Sequence, residues 1–323
     1  MIVVLAGGVG AARFLSGLAQ VAPASEITTV VNTGDDTELH GLSISPDIDT
    51  VTYTLAGAID PGRGWGLRDE TWHAMAALEK FESVRPTDSS AAPRWFNLGD
   101  SDLATHFYRT ARLREGATLH EVTDEIRRAF NVDITIVPMT NDSVRTMVHL
   151  ENGSVSFQEY FVRLRHAVPV TAVDFVGAES ARFIDLSLIT TADTIVIAPS
   201  NPIVSIGPIR ALSGVDASLA GRRDDVVAIS PIVAGAALKG PADRMLTELG
   251  HEPTVVGVAR MYAPICATMV IDEQDAHLAS AIEREGMKCV VTDTIMSTPG
   301  VSQELARRTV RSTPRQGGIP WPD

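Results

Sequence analysis

The N-terminal part of the chain holds two short stretches whose residue types suit phosphate chemistry. One is the glycine-rich run Ala6-Gly7-Gly8-Val9-Gly10-Ala11-Ala12-Arg13. The other is a spaced set of acids, from Asn32-Thr33-Gly34-Asp35-Asp36 through Pro46-Asp47-Ile48-Asp49-Thr50 to Asp60-Pro61-Gly62. The glycine run follows the apolar Ile2-Val3-Val4-Leu5 and precedes a helical pattern with Phe14, Leu15 and Leu18 on one side. Strand, glycine loop, helix presents free backbone N–H groups and the positive end of a helix dipole to an anion. A side chain at the glycines would block that approach. Carboxylates do not attract phosphate by themselves. They belong beside one when a hard cation such as Mg²⁺ sits between, because Mg²⁺ takes oxygen ligands and is commonly shared by carboxylates and phosphates.

The loop departs from two familiar fingerprints. With Gly8 and Gly10 as the first two glycines of a dinucleotide motif, Arg13 stands where the third belongs. No Gly-Lys-Ser/Thr follows, so it is not a Walker A loop. Arg13 suits an extra phosphate contact through its guanidinium; the alternative is a tight strand-to-helix turn without ligand. Asn32 closes the next strand pattern, Ile27 to Val31, about where a dinucleotide fold carries its ribose-binding acid. Asp35 and Asp36 follow Gly34 as turn residues or as ligands. In extended chain Asp47 and Asp49 share a face, and at a helix start Asp47 would be a cap. Asp49 is read as the chemical residue and Asp47 as the structural one. Asp60 either binds a cation with Asp49 or initiates a turn.

Further along, Gly99-Asp100-Ser101-Asp102-Leu103-Ala104-Thr105-His106 opens a helix that Asp100 or Ser101 would cap. Asp102 and His106 are four apart and share a helix face, as a surface contact or a substrate contact. Pro199-Ser200-Asn201-Pro202, with Ser205 just beyond, and Ser230-Pro231 each follow a strand pattern, where ligands sit in open α/β sheets.

These residues need an α/β frame. Strands are expected at Ile27–Val31, Val132–Val137, Thr194–Ala198, Val226–Ile229, Thr254–Val258, Thr268–Ile271 and Lys288–Val291. Helices are expected at Asp69–Phe81, with Asp69 as cap and Trp72, Met75, Ala76 and Leu78 inward, and from the Thr118-Leu119-His120-Glu121 capping box to about Phe130. Two more are expected at Asp275–Glu285 and near Val301–Val310. Ser83 to Arg94 has loop composition. Val144–Leu150 and Ser154–Phe157, joined through Asn152-Gly153, predict a β-hairpin that interrupts the alternation as a flap or dimer element.

Composition narrows the function classes. The 323 residues suit one large α/β domain or two smaller ones. A net charge of −13 disfavours a nucleic-acid partner, which needs a basic face. Two cysteines, Cys266 and Cys289, are too few for a disulfide framework and suit a reducing cytoplasm. No CxxC or HExxH pattern marks a zinc site. There is no signal-peptide pattern and no apolar run long enough to span a bilayer.

Taken in order, several stretches resemble the 2-phospho-L-lactate transferase family of coenzyme F420 biosynthesis, known in actinobacteria as the phosphoenolpyruvate transferase. They are Gly7 to Arg13, Asn32 to Asp36, Ser45 to Thr50, Asp60 to Gly66, Leu98 to Asp100 with Asp102 to His106, Pro199 to Pro202, and Ser230-Pro231. The resemblance implies a three-layer αβα Rossmann-like fold with a mainly parallel sheet and an inserted hairpin at about 141–167. One transferase domain is expected over 1–310, and 311–323, rich in Pro and Gly, is expected as a loose tail. The resemblance also implies a homodimer and a Mg²⁺-dependent transfer; the cytoplasm, and no nucleic acid or membrane as partner, are expected from the composition above. The donor would be a guanosine diphosphate ester of a three-carbon acid and the acceptor the deazaflavin Fo, giving GMP and a proto-form of the coenzyme.

By this resemblance Asp49 is the catalytic residue and lies at the Fo and metal site. Asp60 as its metal partner is an extension of our own. The donor's nucleotide and phosphates fall to Gly7, Gly8, Val9, Gly10, Arg13, Asn32, Asp36, Ser200, Asn201 and Ser205, and Fo to Asp49, Ser101, Asp102 and His106. The family usually has Arg where this chain has Ser101, so either another basic residue supplies the Fo contact, or Fo affinity or acceptor choice differs. Gly64 to Trp72 looks like the actinobacterial branch, which favours phosphoenolpyruvate. Two rivals are a non-catalytic nucleotide-sugar-binding regulator of related fold and an NAD-dependent oxidoreductase; Arg13 and Asn32 disfavour the second.

Overall fold

Strand patterns without polar interruption, such as Ile2-Val3-Val4-Leu5-Ala6, suit strands covered on both faces. In a computed structural model, which describes residues 1–313 except Asp88, Ser90, Ala92 and Arg94, they form a seven-stranded, all-parallel sheet. The strands in chain order are β1 (Ile2–Ala6), β2 (Ile27–Val31), β3 (Thr37–Leu39), β4 (Leu42–Ile44), β5 (Thr135–Pro138), β6 (Arg145–Leu150), β7 (Gly153–Ser156) and β8 (Ala172–Val176). They continue as β9 (Thr194–Ile197), β10 (Val226–Ile229), β11 (Ile232–Val233), β12 (Ala236–Ala237), β13 (Thr268–Ile271) and β14 (Lys288–Val291). The central sheet runs β14-β13-β10-β9-β1-β2-β5.

The α-helices are α1 (Gly8–Leu18), α2 (Pro46–Leu55), α3 (His73–Glu82), α4 (Asp102–Arg114), α5 (Leu119–Ala129), α6 (Ser187–Thr191) and α7 (Gly207–Arg210). They continue as α8 (Val215–Gly221), α9 (Ala242–Glu248), α10 (Val255–Tyr262), α11 (Ala279–Arg284) and α12 (Val301–Arg311). Alternation along the strands divides the core. Ile2, Val4 and Ala6 face one cluster with Phe14, Leu15, Ile48, Val51, Leu305 and Val310, from α1, α2 and α12. Val3 and Leu5 face the other, with Val215, Leu219, Val258, Ala259 and Ile282, from α8, α10 and α11. The fold is therefore the expected three-layer αβα arrangement.

Strand order reverses between β1 and β9. From β1 the chain builds outward through β2 to β5, then returns to β9 beside β1 and builds the other way. The carboxyl ends of these two strands open the crevice where ligands bind in sheets of this kind.

Several expectations change. Thr254 to Val258 is not a strand. Thr254 is the N-cap of α10, its hydroxyl accepting from the Gly257 N–H at 3.2 Å. An apolar run of this length reads equally as a buried helix, and the cap decides. The helix expected from Asp69 starts at His73; Asp69 has φ +57 and no capping role. Instead, Asp100 accepts from the His73 and Ala74 N–H groups, while Glu70 accepts from Ser101 and Asp102 at the start of α4. Each helix start is capped by an acid from the other's lead-in, so neither Asp100 nor Ser101 caps α4.

The expected hairpin is present as β6–β7, with Leu150 opposite Gly153. It gains a third strand, β8, paired to β6. Asp275–Glu285 divides into a 3₁₀ segment (Glu273–Leu278) and α11. The expected loop over Ser83–Arg94 has no helix or strand among its described residues. Of the expected tail over 311–323, Arg311 ends α12, and 314–323 lie outside the described residues.

Candidate functional site

The glycine loop lies at the reversal point. Gly7 is extended and Gly8 takes φ +71, a conformation costly for any other residue. Ser200, from the loop after β9, locks against it: its hydroxyl donates to the Gly7 carbonyl at 2.8 Å and accepts from the Gly7 N–H at 3.3 Å. Packing leaves no room for side chains. A Cβ on Gly10 would lie 2.2 Å from the Pro199 carbonyl oxygen, and one on Gly7 would meet Ser205 Cβ at 2.8 Å and Asp47 Oδ2 at 2.9 Å. Gly7, Gly8, Gly10, Ser200 and Ser205 thus form one surface. Asn201 turns away, its side-chain oxygen accepting from the Ile203 and Val204 N–H groups.

Helix α2 divides its two acids. Asp47 and Asp49 fall in its first turn, two residues and about 200° apart on a helix. Asp47 points to the glycine loop and accepts from the Asn32 side-chain amide at 2.9 Å, while the Asn32 oxygen accepts from Gly34 N–H at 2.8 Å. Burial pushes the Asp47 carboxyl up to about 6, against the lowering effect of Asn32 and the Gly8 N–H. Asn32 is therefore a fully buried brace between β2, the Gly34 turn and α2.

Asp49 points the other way, into a buried polar network. Arg109 of α4, 1% exposed, grips it with both guanidinium nitrogens: Nη1 donates to Oδ2 at 3.1 Å and Nη2 to Oδ1. His106 Nδ1 lies 3.8 Å from Asp49 Oδ2, and its Nε2 3.4 Å from Asp102 Oδ2. Asp102 also accepts from the Tyr53 hydroxyl at 2.6 Å. Burial works against the Arg109 charge and the Asp49 carboxylate outweighs it, so the Arg109 pKa is raised. Burial also opposes the Asp102 charge, but His106 and Tyr53 hold its carboxyl below its ordinary value. Asp102 and His106 are thus a buried pair tied to Asp49 rather than a surface contact.

Between these two acids sit Asp35 and Asp36. Asp36 accepts from the Ser45 hydroxyl at 2.7 Å, and Asp36 Oδ1 and Asp35 Oδ1 are buried without a hydrogen-bond partner, as is the Thr33 hydroxyl. Burial raises both carboxyls well above the ordinary range; Asp47 adds to the rise at Asp35, and Asp49 and Asp47 add to it at Asp36.

Other expected residues lie apart from this cluster. Asp60 accepts from the Gly62 and Arg63 N–H groups and pairs with the Arg63 side chain at 3.0 Å. That is the turn-initiating role, and no hydrogen bond or ion pair links Asp60 to Asp49. Ser101 is exposed at the start of α4 and donates its N–H to Glu70. Val9 and Arg13 are half-buried on α1. Arg109 went unnoticed in the sequence, although Asp102, His106 and Arg109 at i, i+4 and i+7 mark one helix face.

Among the described residues no group of three or more His, Cys, Asp or Glu is already gathered about one point as a metal cage. The donor chemistry nevertheless suits Mg²⁺. The buried Asp35, Asp47 and Asp49 and the half-buried Asp36 stand near one buried guanidinium, that of Arg109, and one oxygen each of Asp35 and Asp36 is orphaned; a hard cation with oxygen preference answers that imbalance. A cavity of about 540 Å³ opens elsewhere, between β8 and α7, with Pro202 and Ile203 of the loop after β9 in its lining.

Comparison with known proteins adds the lineage. The family described as 2-phospho-L-lactate transferase CofD matches residues 2–310. A protein of Kitasatospora aureofaciens named phosphoenolpyruvate transferase is 42% identical over 314 residues, covering 95% of each chain. Proteins of the same name from Streptomyces coelicolor (41%, 96% of this chain and 97% of the relative) and Mycobacterium tuberculosis (38%, 95% and 96%) are similar over almost their whole length. A crystal structure of a UPF0052-family protein from Bacillus halodurans shares the fold, with TM-score 0.57 at 14% identity over 96% of this chain and 98% of that one.

Proposed function

This chain belongs to the 2-phospho-L-lactate transferase CofD family, and from that premise we propose that it moves a phosphorylated three-carbon acid from a guanosine diphosphate ester to the deazaflavin Fo, releasing GMP. The acid is enolpyruvate in the first instance, as the names of the 38–42% identical relatives suggest, and L-lactate otherwise. The observation that carries the reading is the juxtaposition at the reversal point. A glycine loop at a helix N-terminus, shaped for phosphate, stands beside the buried Asp35, Asp47 and Asp49 and the half-buried Asp36, a set held short of positive charge.

The chemistry is a displacement at phosphorus. The terminal ribityl oxygen of Fo forms a bond to the phosphorus that carries the acid. The bond from that phosphorus to the oxygen bridging to the guanylyl phosphate breaks, and GMP leaves with that oxygen. The hydroxyl proton passes to a carboxylate, which we assign to Asp49. A positioned base of this kind is worth about 10²–10⁴-fold, and the remainder is positioning and charge neutralisation. Gly7, Gly8, Gly10 and Arg13 hold the diphosphate, with Ser200 and Ser205 shaping the loop. Arg109, His106 and Asp102 fix the orientation of Asp49. Mg²⁺, when bound, neutralises phosphate charge and would be held by Asp49 with Asp36 and Asp35. A cytoplasmic homodimer is part of the same proposal.

Parallel incubations with Fo, Mg²⁺ and the enolpyruvyl or lactyl guanylyl donor, read by mass spectrometry, test the choice of acid. The enolpyruvyl adduct is expected to predominate. An adduct from the lactyl donor alone would reverse the assignment. No adduct from either, with donor bound, would favour the nucleotide-sugar-binding regulator.

A further inference from the structure

After β10 the chain makes the short β11–β12 hairpin, pinned to the body by the Ala234 N–H donating to Asp275 at 2.9 Å. The next residues, Leu238-Lys239-Gly240, lead toward α9. Lys239 comes back beside the glycine loop from this hairpin. A Cβ placed on Gly64 would lie 2.8 Å from Lys239 Nζ and 3.8 Å from the Val9 side chain. The ammonium and the loop residue Val9 therefore meet over the same glycine. Lys239 is exposed overall, and partial desolvation, with the neighbouring Arg13 charge after it, lowers its pKa.

Neither Lys239 nor Arg13 makes a hydrogen bond or ion pair among the described residues. In a chain of net charge −13, two cations brought near each other without an intervening acid are poised for an anion that is not part of the protein. Nucleoside monophosphate contacts would be met by the loop N–H groups alone. A second phosphate extends the charge outward from the loop.

We propose that Lys239 is a donor-binding residue, closing on the distal phosphate of a nucleoside diphosphate from the β11–β12 side while Arg13 and the glycine loop hold it from the α1 side. The assignment rests on the nucleotide reading of this site. It makes the diphosphate, not the base, the element recognised by two separate parts of the chain.

Calorimetric titration at fixed Mg²⁺ with GDP and GMP tests it, using the wild type, Lys239→Met, Lys239→Arg and Arg13→Met. Lys239→Met is expected to weaken GDP binding about tenfold or more, the worth of a charge-assisted contact, with GMP changed much less. Lys239→Arg should recover most of the loss, and unfolding midpoints should stay together. Wild-type affinity for GDP in Lys239→Met would overturn the assignment alone, as would equal losses for GDP and GMP. A wild type that binds no GDP would remove the nucleotide reading and this inference with it. Should Lys239→Met fail to fold, Lys239→Gln replaces it under the same criteria.

Discussion

Asp49 is the residue on which the proposed chemistry turns, and its environment sets what mutation will do. Asp49→Asn removes the proton acceptor and the carboxylate that ion-pairs with Arg109. Turnover per folded molecule should fall by at least about 10²-fold, measured as GMP release. Removing one partner of a buried pair costs about 3–5 kcal/mol, so Arg109→Leu, which strands the Asp49 carboxylate, should lower the unfolding free energy by about that amount in denaturant titration. A loss below about 1 kcal/mol would show that the pair is not desolvated as described.

The acids at Asp35, Asp36 and Asp47 have pKa values raised by burial, so in the window above the ordinary 3.8 the folded state binds more protons than the unfolded chain. Stability then falls as pH rises, and for Asp47 the fall runs from about 3.8 to about 6. Without Mg²⁺ the melting temperature should drop across that window, and added Mg²⁺ should raise it more at pH 7 than at pH 4. A Mg²⁺ effect independent of pH would separate these acids from the cation. At this scale the Asp102–His106 pair was legible because spacing on a helix is local, whereas Asp49 was singled out through the family resemblance. Arg109 was missed because a lone basic residue in a helix reads as solvent-facing until α2 is known to pack against it.

At the scale of elements, glycines decide how closely the layers approach. Gly10→Ala would drive a methyl into the Pro199 carbonyl at the contact between the β1–α1 loop and the loop after β9. It should weaken GDP binding more than it lowers the melting temperature, read by titration and thermal unfolding on the same sample. Gly17→Ala offers the contrast: its Cβ would lie 2.3 Å from the Ser302 carbonyl oxygen, where α1 packs on α12 far from the site. Overpacking of this kind costs about 1–3 kcal/mol, and GDP affinity per folded molecule should be unchanged.

Strands of the central sheet were readable because burial on both faces favours continuous apolar residues, as at Ile2–Ala6 and Val226–Ile229, or β-branched ones, as at Ile27–Val31. Thr254–Val258 obeys the same pattern yet is helical, since the Thr254 hydroxyl caps it and the α10 stripe has core on its inner side. The crossed caps by Asp100 and Glu70 lay beyond sequence reading for another reason. Each joins residues about thirty apart, and spacing rules reach only a turn or two.

Across the whole molecule, the site exists because the strand order reverses between β1 and β9, which brings Ser200 to Gly7 across 193 positions of sequence. The glycine loop, the acids of α2 and its lead-in, and the face of α4 arrive there from three parts of the chain. The alternation of strand and helix patterns announced an αβα sheet, but pairing order is set by packing of distant elements and was not readable. The third strand, β8, was missed for a related reason. Its residues alternate between exposed and half-buried, so its hydrophobic signal is weak, and pairing with β6 defines it.

Phosphorus NMR of the protein with Mg²⁺, Fo and the enolpyruvyl guanylyl donor tests the central claim most directly, because it follows the bond that forms and the group that leaves together. The account predicts that the two coupled diphosphate signals decay while a phosphodiester signal and a GMP signal grow in equal amounts, only when Fo is present. Decay to GMP and a phosphomonoester at the same rate without Fo would make the protein a hydrolase, and an unchanged spectrum with donor bound would make it no transferase at all.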